Sequence, residues 1–396
     1  YVNWACPAAF GTSSPSTAAN TNTALELART QGGCSDLEPA LFGGSTNLDN
    51  ITSTNNVIYG VPITRVGSRA LQRAQGLIAD DHRDWNCTLN TAWDITAAQG
   101  DHIRGPRSDC ERNMPNLSKS AARALFSQSL GTWDQLDPAP SPLPSNPNVF
   151  IARRVDSSGT QRSAEVYHFN ARCDANVPLM VAGNDGGVCG NDTVNEGSGS
   201  QNVTNCLNTH NAAGRYAVGV LSTEFNTVSC VNEKSALTGA ASGTGAFTGT
   251  QAACGSASTG TSGEQGNQFR FVKLDGAAPT LVNAANGKSD YQYESSCQTG
   301  QTLGSQPTYT GGDTAVAKEW LAFAFPQLNL PDVIQGINFS FRQAFGDSGL
   351  LAIPTFSVTP AVFPYTTQTL RDRPVGSVTR APGGSPNSCS FPTPIY

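Results

Sequence analysis

Short apolar runs alternate with amphipathic stretches along this chain, and that alternation predicts an α/β architecture. Residues 57–63 (VIYGVPI) form an apolar run of buried-strand length. The residues after it, 68–76, predict a short helix closed by Gly76. Ser118 stands where an N-cap belongs, ahead of a helix carrying Ala121, Ala124, Leu125 and Phe126 on its apolar side and ending near Gly131. Residues 148–152, 216–221 and 269–274 predict further strands, and 315–323 a helix. Two stretches read as loops. Residues 137–144, with proline at alternate positions, predict a stiff extended connector. Residues 237–267, mostly Gly, Ala, Ser and Thr, predict an exposed excursion pinned by Cys254.

Composition narrows the class. The 396 residues suffice for two lobes, and only 14% are charged. A net charge of −6 argues against nucleic acid or an anionic membrane as partner. No apolar run reaches the roughly 18 residues of a membrane span, so no membrane insertion is expected. The 11 cysteines, at 6, 34, 87, 110, 173, 189, 206, 230, 254, 297 and 389, include no CxxC pair and no histidine at zinc-finger spacing. A disulfide framework is therefore expected, with no metal and no cofactor, in an oxidising compartment: secreted, periplasmic or extracellular. The odd number leaves one thiol over. The opening residues carry no basic and apolar leader, as expected of a mature, trimmed chain. Six Asn-x-Ser/Thr sequons, at Asn50, Asn86, Asn116, Asn191, Asn202 and Asn338, are close to chance in this composition.

The segment richest in chemistry is 150–161 (FIARRVDSSGTQ). An apolar strand runs into Arg154 and Asp156, and a Ser-Gly-Thr turn opens a helix. Backbone N–H groups at a helix start favour negative charge. The hydroxyls of Ser158 and Thr160 add donors, and Arg154 offers a planar fork for two oxygens of a tetrahedral anion. Asp156 is expected to orient that guanidinium. The competing reading is a helix cap beside a surface ion pair. Earlier in the chain, Ser35 and Asp36 precede another apolar stretch. A carboxylate suits an anion site when the anion carries a proton, because Asp36 then accepts a hydrogen bond from it. Taken alone, Asp36 also fits a helix cap.

The run Arg154-Val-Asp-Ser-Ser-Gly-Thr160 resembles the Arg-x-Asp-Gly-Ser-Gly-Thr signature of the phosphate-binding proteins of phosphate importers. Ser35-Asp36 resembles their Ser-Asp motif. Residues 117–136, Gly199-Ser200 through 216–222, and 274–280 are similar to further elements of that family, in the family's order. The likeness is nearest to a Cys-rich secreted offshoot with an Asn-Ser-Cys tail, here ending at Cys389. It implies a two-lobed type II periplasmic-binding-protein fold with mixed sheets and crossover strands. Residues 1–75 plus 270–396 would form one lobe and 76–269 the other, including the 237–267 excursion. It implies a non-catalytic oxyanion-binding protein, phosphate first among ligands, with Ser35, Asp36, Arg154, Asp156, Ser158, Gly159 and Thr160 around the anion. An importer permease is the implied partner. Two departures stand out: Ser157 occupies the place of the signature's first glycine, and the family's opening strand and Gly-rich loop are not found.

Other readings are weaker. Gly346-Asp-Ser-Gly349 matches a serine-protease motif, but the histidines at 82, 102, 168 and 210 stand in no triad context. The acidic cluster 80–84 reads as a solvated face, and 191–196 lacks calcium-loop spacing. The competing function is an extracellular structural or filament subunit, self-associating by strand exchange across an open sheet edge.

Overall fold

The computed structural model describes residues 33–35, 48–77, 111, 114–156, 158–170, 180–183, 189–190, 192–225, 268–300, 323–340, 349–355, 358, 365–380 and 393–394. Two five-stranded sheets organise them. The first comprises β1 (Gly33–Ser35), β11 (Gln292–Gly300), β2 (Leu48–Gly60) and β12 (Leu350–Leu351) in that order, with β8 (Leu221–Ser222) also pairing β2. All its pairings are antiparallel. Cys297 of β11 is disulfide-bonded and lies in register with Cys34 of β1.

The second sheet runs β6 (Val194–Gly197), β5 (Phe150–Arg154), β7 (Ala217–Gly219), β3 (Pro62–Thr64), β9 (Phe269–Phe271). Here β5 is parallel to both β6 and β7, whereas β3 is antiparallel to β7 and β9. Every residue of β5 is buried, as expected of a strand covered on both faces. Helices α3 (Gly159–Phe169) and α4 (Ser200–Ala212) follow β5 and β6 directly. A small parallel ladder joins β4 (Asn116–Leu117) to β10 (Lys273–Leu274).

Residues 57–63, read as one strand, are two. Tyr59 and Gly60 pair with β8 in the first sheet, and Pro62–Thr64 pair with β9 in the second. The chain passes between the sheets at Val61. It passes back at Val220, between β7 and β8. Val272 stands between β9 of the second sheet and β10 of the small β4–β10 ladder, and its N–H donates to the Val61 carbonyl at 3.1 Å. All three valines are fully buried. They join a core containing Tyr59, Ile63, Leu125, Trp133, Ile151 and Tyr291.

The predicted helices keep their signals with shifted edges. Helix α1 (Arg65–Ala74) starts three residues before the expected 68 and ends against Gly76, whose φ of +67° suits glycine. Helix α2 (Lys119–Phe126) is capped by Ser118, whose hydroxyl accepts from the Ala121 N–H at 3.0 Å. Its core side is Ala122, Leu125 and Phe126, so Ala124 sits at the flank instead. The proline segment 137–144 packs back onto the molecule. Ser141 N–H donates to Ala70 O, and Tyr216 Oη to Pro142 O. The predicted loop 237–267 and the predicted helix 315–323, save Phe323, lie outside the described residues. Short helices α5 (Leu281–Ala285) and α7 (Thr367–Asp372) pack near α6 (Pro331–Ser340) and the first sheet, and β13 (Val378–Thr379) pairs β14 (Thr393–Pro394).

Candidate anion site

The C-terminal ends of β5 and β6 lie side by side, with Arg154 in register with Gly197. Each strand turns at once into a helix. This is where open α/β sheets place ligands, because two sets of helix-start N–H groups converge outside the strand ends.

Successive residues of β5 point to opposite faces, and the two arginines separate accordingly. Arg154 is 3% exposed. Its Nε donates to Gly197 O at 3.2 Å, Nη2 to Ser198 O at 2.9 Å, and Nη1 to Ser200 Oγ at 2.7 Å. Its backbone N–H donates to Gln161 Oε1 at 3.2 Å, tying the strand end to the first turn of α3. Arg153, 1% exposed, turns the other way. It donates to Val181 O at 2.6 Å and lies 3.5 Å from the Glu196 carboxylate.

Asp156 pairs with Arg153, not with Arg154 as the sequence suggested. Asp156 is a mostly exposed carboxylate beyond the strand end, and the turn carries it to the face Arg153 occupies. The same Arg153 guanidinium also donates to the Met180 and Val181 carbonyls.

Ser158 holds the N-cap position of α3 with extended backbone, φ −79° and ψ 134°. Its N–H closes the turn onto Val155 O at 2.9 Å, and its carbonyl accepts from Arg162 N–H. Its side chain does not cap. Only 2% of Ser158 is exposed, yet Oγ makes no hydrogen bond. A buried hydroxyl left unsatisfied costs on the order of 1–3 kcal/mol, so it calls for a partner. Gly159 and Thr160 complete the first turn, and the Thr160 carbonyl accepts from Ser163 Oγ at 2.8 Å.

Of the other expected site residues, Ser35 has its backbone at the end of β1 in the first sheet, and Asp36 lies outside the described residues, as does Ser157. Arg154, Ser158, Gly159 and Thr160 thus lie along the β5–α3 connection, with the Arg154 guanidinium turned to residues 197–200 and Asp156 paired with the neighbouring guanidinium. The sequence reading missed the seat of Arg154: Gly197, Ser198 and Ser200. Gly197 was its readable signal, since a Cβ there would lie 2.6 Å from the Asn202 Cβ, and only glycine lets α4 approach β6 so closely. The described part of the 191–196 stretch, residues 192–196, makes structural contacts. Asn195 Nδ2 donates to Asp192 O, and Glu196 Oε1 accepts from Gly183 N–H. The acidic cluster 80–84 and the Gly346–Ser348 part of the protease-like motif lie outside the described residues.

No protein-family model matches the chain, and no curated protein does. Among solved structures it is similar to a putative phosphate ABC transporter substrate-binding protein with bound phosphate from Clostridium perfringens. The identity is 12% and the TM-score 0.38, over 87% of this chain and 92% of that one. It is similar to a phosphate-binding protein from Stenotrophomonas maltophilia at 11% identity and TM-score 0.38, over 90% and 82% of the two chains. A third likeness is an ABC-type phosphate transport receptor from Vibrio cholerae, at 11% identity and TM-score 0.36, over 81% of each chain. With TM-scores below 0.5, none of these likenesses bears on what this chain binds. Among the described residues, no helix is long and apolar enough to cross a membrane.

Proposed function

We propose that this protein binds a phosphate-like oxyanion, without turnover, at the start of α3. The observation that carries the reading is the Ser158 hydroxyl, buried and without a partner at the N-terminus of an 11-residue helix, in the turn that follows the buried Arg154 at the end of β5. Ser158 Oγ and the first-turn amides supply donors, the helix dipole supplies partial positive charge, and Arg154 supplies a full one. The resemblance of residues 154–160 to the phosphate-importer signature supports the same assignment. Asp36 completes the reading as acceptor of the anion's own proton, which selects phosphate over fully ionised sulfate. In this reading the two sheets belong to two lobes, and the passages at Val61 and Val220 are the strands on which they hinge. Secretion and delivery to an importer permease follow from the same family resemblance. The described residues hold no observation that favours a filament subunit.

Calorimetric titration of the full chain with inorganic phosphate tests this. The expected result is a one-to-one complex, weakened about tenfold or more in Arg154→Ala and in Asp36→Ala, since hydrogen bonds to charged groups contribute roughly 1.5–3 kcal/mol. Phosphate binding at neither wild-type nor variant protein would remove the proposal.

A further inference from the structure

Cys206 and His210 stand one turn apart on α4, and both are buried. Cys206 forms a disulfide with the half-buried Cys189, just ahead of β6. The two sulfurs and a ring nitrogen of His210 lie within 4.8 Å of one another.

Neighbouring groups decide which form of the imidazole is present. Asn195 Oδ1 accepts from Gly190 N–H at 3.0 Å, so its Nδ2 is the donor, to Asp192 O at 2.9 Å and toward His210 Nε2 at 3.4 Å. Nε2 is then the acceptor and the ring proton sits on Nδ1. That nitrogen is buried with no hydrogen-bond partner. Burial, and next the charge of Arg215, hold the ring's pKa down to about 4, so it is neutral at ordinary pH. A ring whose Nε2 faces a donor, beside a fixed cation, opposes a metal ion at these three groups.

The bridge closes a loop spanning a sequence separation of 17. Inside that loop lie β6 and the first turn of α4, and with them Gly197, Ser198 and Ser200, which receive the Arg154 guanidinium. The covalent link therefore fastens the seat of the site's cation.

We propose that Cys189–Cys206 is a reducible switch on the anion site, opened by an external dithiol, with His210 as hydrogen-bond donor to the departing Cys206 sulfur. This rests on the oxyanion reading above. A thiolate of the dithiol attacks the more accessible Cys189 Sγ, the Sγ–Sγ bond breaks, and its electron pair leaves on Cys206 Sγ. In this step the unbonded Nδ1–H of His210 turns to that thiolate and stabilises it until it takes the proton lost by the dithiol. The second dithiol sulfur then attacks the mixed disulfide, leaving two cysteine thiols and an oxidised, cyclic disulfide. Stabilising the leaving thiolate speeds exchange. The open loop no longer fixes the arginine's acceptors, so the anion meets a less preorganised site.

The test has two arms on the full chain. In the first, limiting dithiothreitol followed by alkylation and peptide mass spectrometry follows opening of this pair. Wild type should carry the mixed adduct on Cys189, and His210→Phe should open about tenfold more slowly, having lost the donor. In the second, phosphate affinity of Cys189→Ser/Cys206→Ser, and of wild type with this pair selectively reduced and alkylated, should fall about tenfold with unchanged circular dichroism. Equal opening rates, an adduct on Cys206, or undiminished phosphate affinity overturns the proposal. Uptake of one Zn²⁺ per reduced chain that His210→Phe abolishes overturns it in favour of a metal centre. Failure of wild type to bind phosphate overturns the oxyanion reading and the coupling together, while the first arm still reports on His210.

Discussion

Two serines in this chain occupy the same helix position and do different things. Ser118 caps α2 through its hydroxyl, whereas Ser158 at the start of α3 leaves its hydroxyl buried and unbonded. The sequence placed both correctly as helix starts, because Ser before a periodic run is a local signal. It could not tell a capping hydroxyl from an unbonded one, since that depends on a side-chain rotamer set by the surrounding packing. The two variants should separate them. Ser118→Ala should lower unfolding free energy by about 1 kcal/mol in urea titrations, the usual loss of a cap. Ser158→Ala should leave the ligand-free protein as stable or slightly more so, because it removes an unsatisfied polar atom, yet bind phosphate about tenfold more weakly. A stability loss at Ser158 equal to that at Ser118 would make it an ordinary cap. The partner of Asp156 was also beyond the sequence: adjacent Arg153 and Arg154 look alike in one dimension, and only strand alternation and the turn after it choose between them.

At the scale of elements, the strands were legible and their sheet membership was not. Residues 57–63 and 216–221 each read as one apolar run because the backbone stays extended and buried while it passes from one sheet to the other. Periodicity reports burial, and nothing in it marks a change of partner. Glycine at 197 was a readable sign of close approach, and it now carries a prediction. Gly197→Ala places a methyl 2.6 Å from the Asn202 Cβ, so β6 and α4 must separate. The expected loss is about 1–3 kcal/mol of stability, together with weaker phosphate binding as the Arg154 acceptors shift. Chemical denaturation and calorimetry on the same preparation check both, and a variant with wild-type values in each would show that the helix approach is not tight.

At the scale of the whole molecule, the two histidines among the described residues, both buried, contribute a response to acid. His168 packs among Phe126, Tyr167 and Tyr291 with neither ring nitrogen hydrogen-bonded, and burial lowers its pKa to about 3. His210 is lowered to about 4. Lys119 and Asp290 act on the first with opposite sign, and Arg215 on the second. Because both folded values lie below the unfolded one near 6.5, their contribution is complete above pH 6.5 and declines as pH falls toward those values. By linkage each histidine removes about 2 kcal/mol between pH 7 and pH 5. His168→Phe should therefore lessen the fall in urea-unfolding free energy over that interval by about 2 kcal/mol, and an unchanged fall would mean the ring is not buried in solution. The central claim is more local: an anion sits on the Ser158 hydroxyl at the start of α3. Crystals of the full chain soaked in arsenate, measured at the arsenic edge, test it directly. The account predicts an anomalous peak whose oxygens lie within about 2.6–3.0 Å of Ser158 Oγ. An arsenate-free turn, with water or an apolar side chain against that hydroxyl, contradicts it.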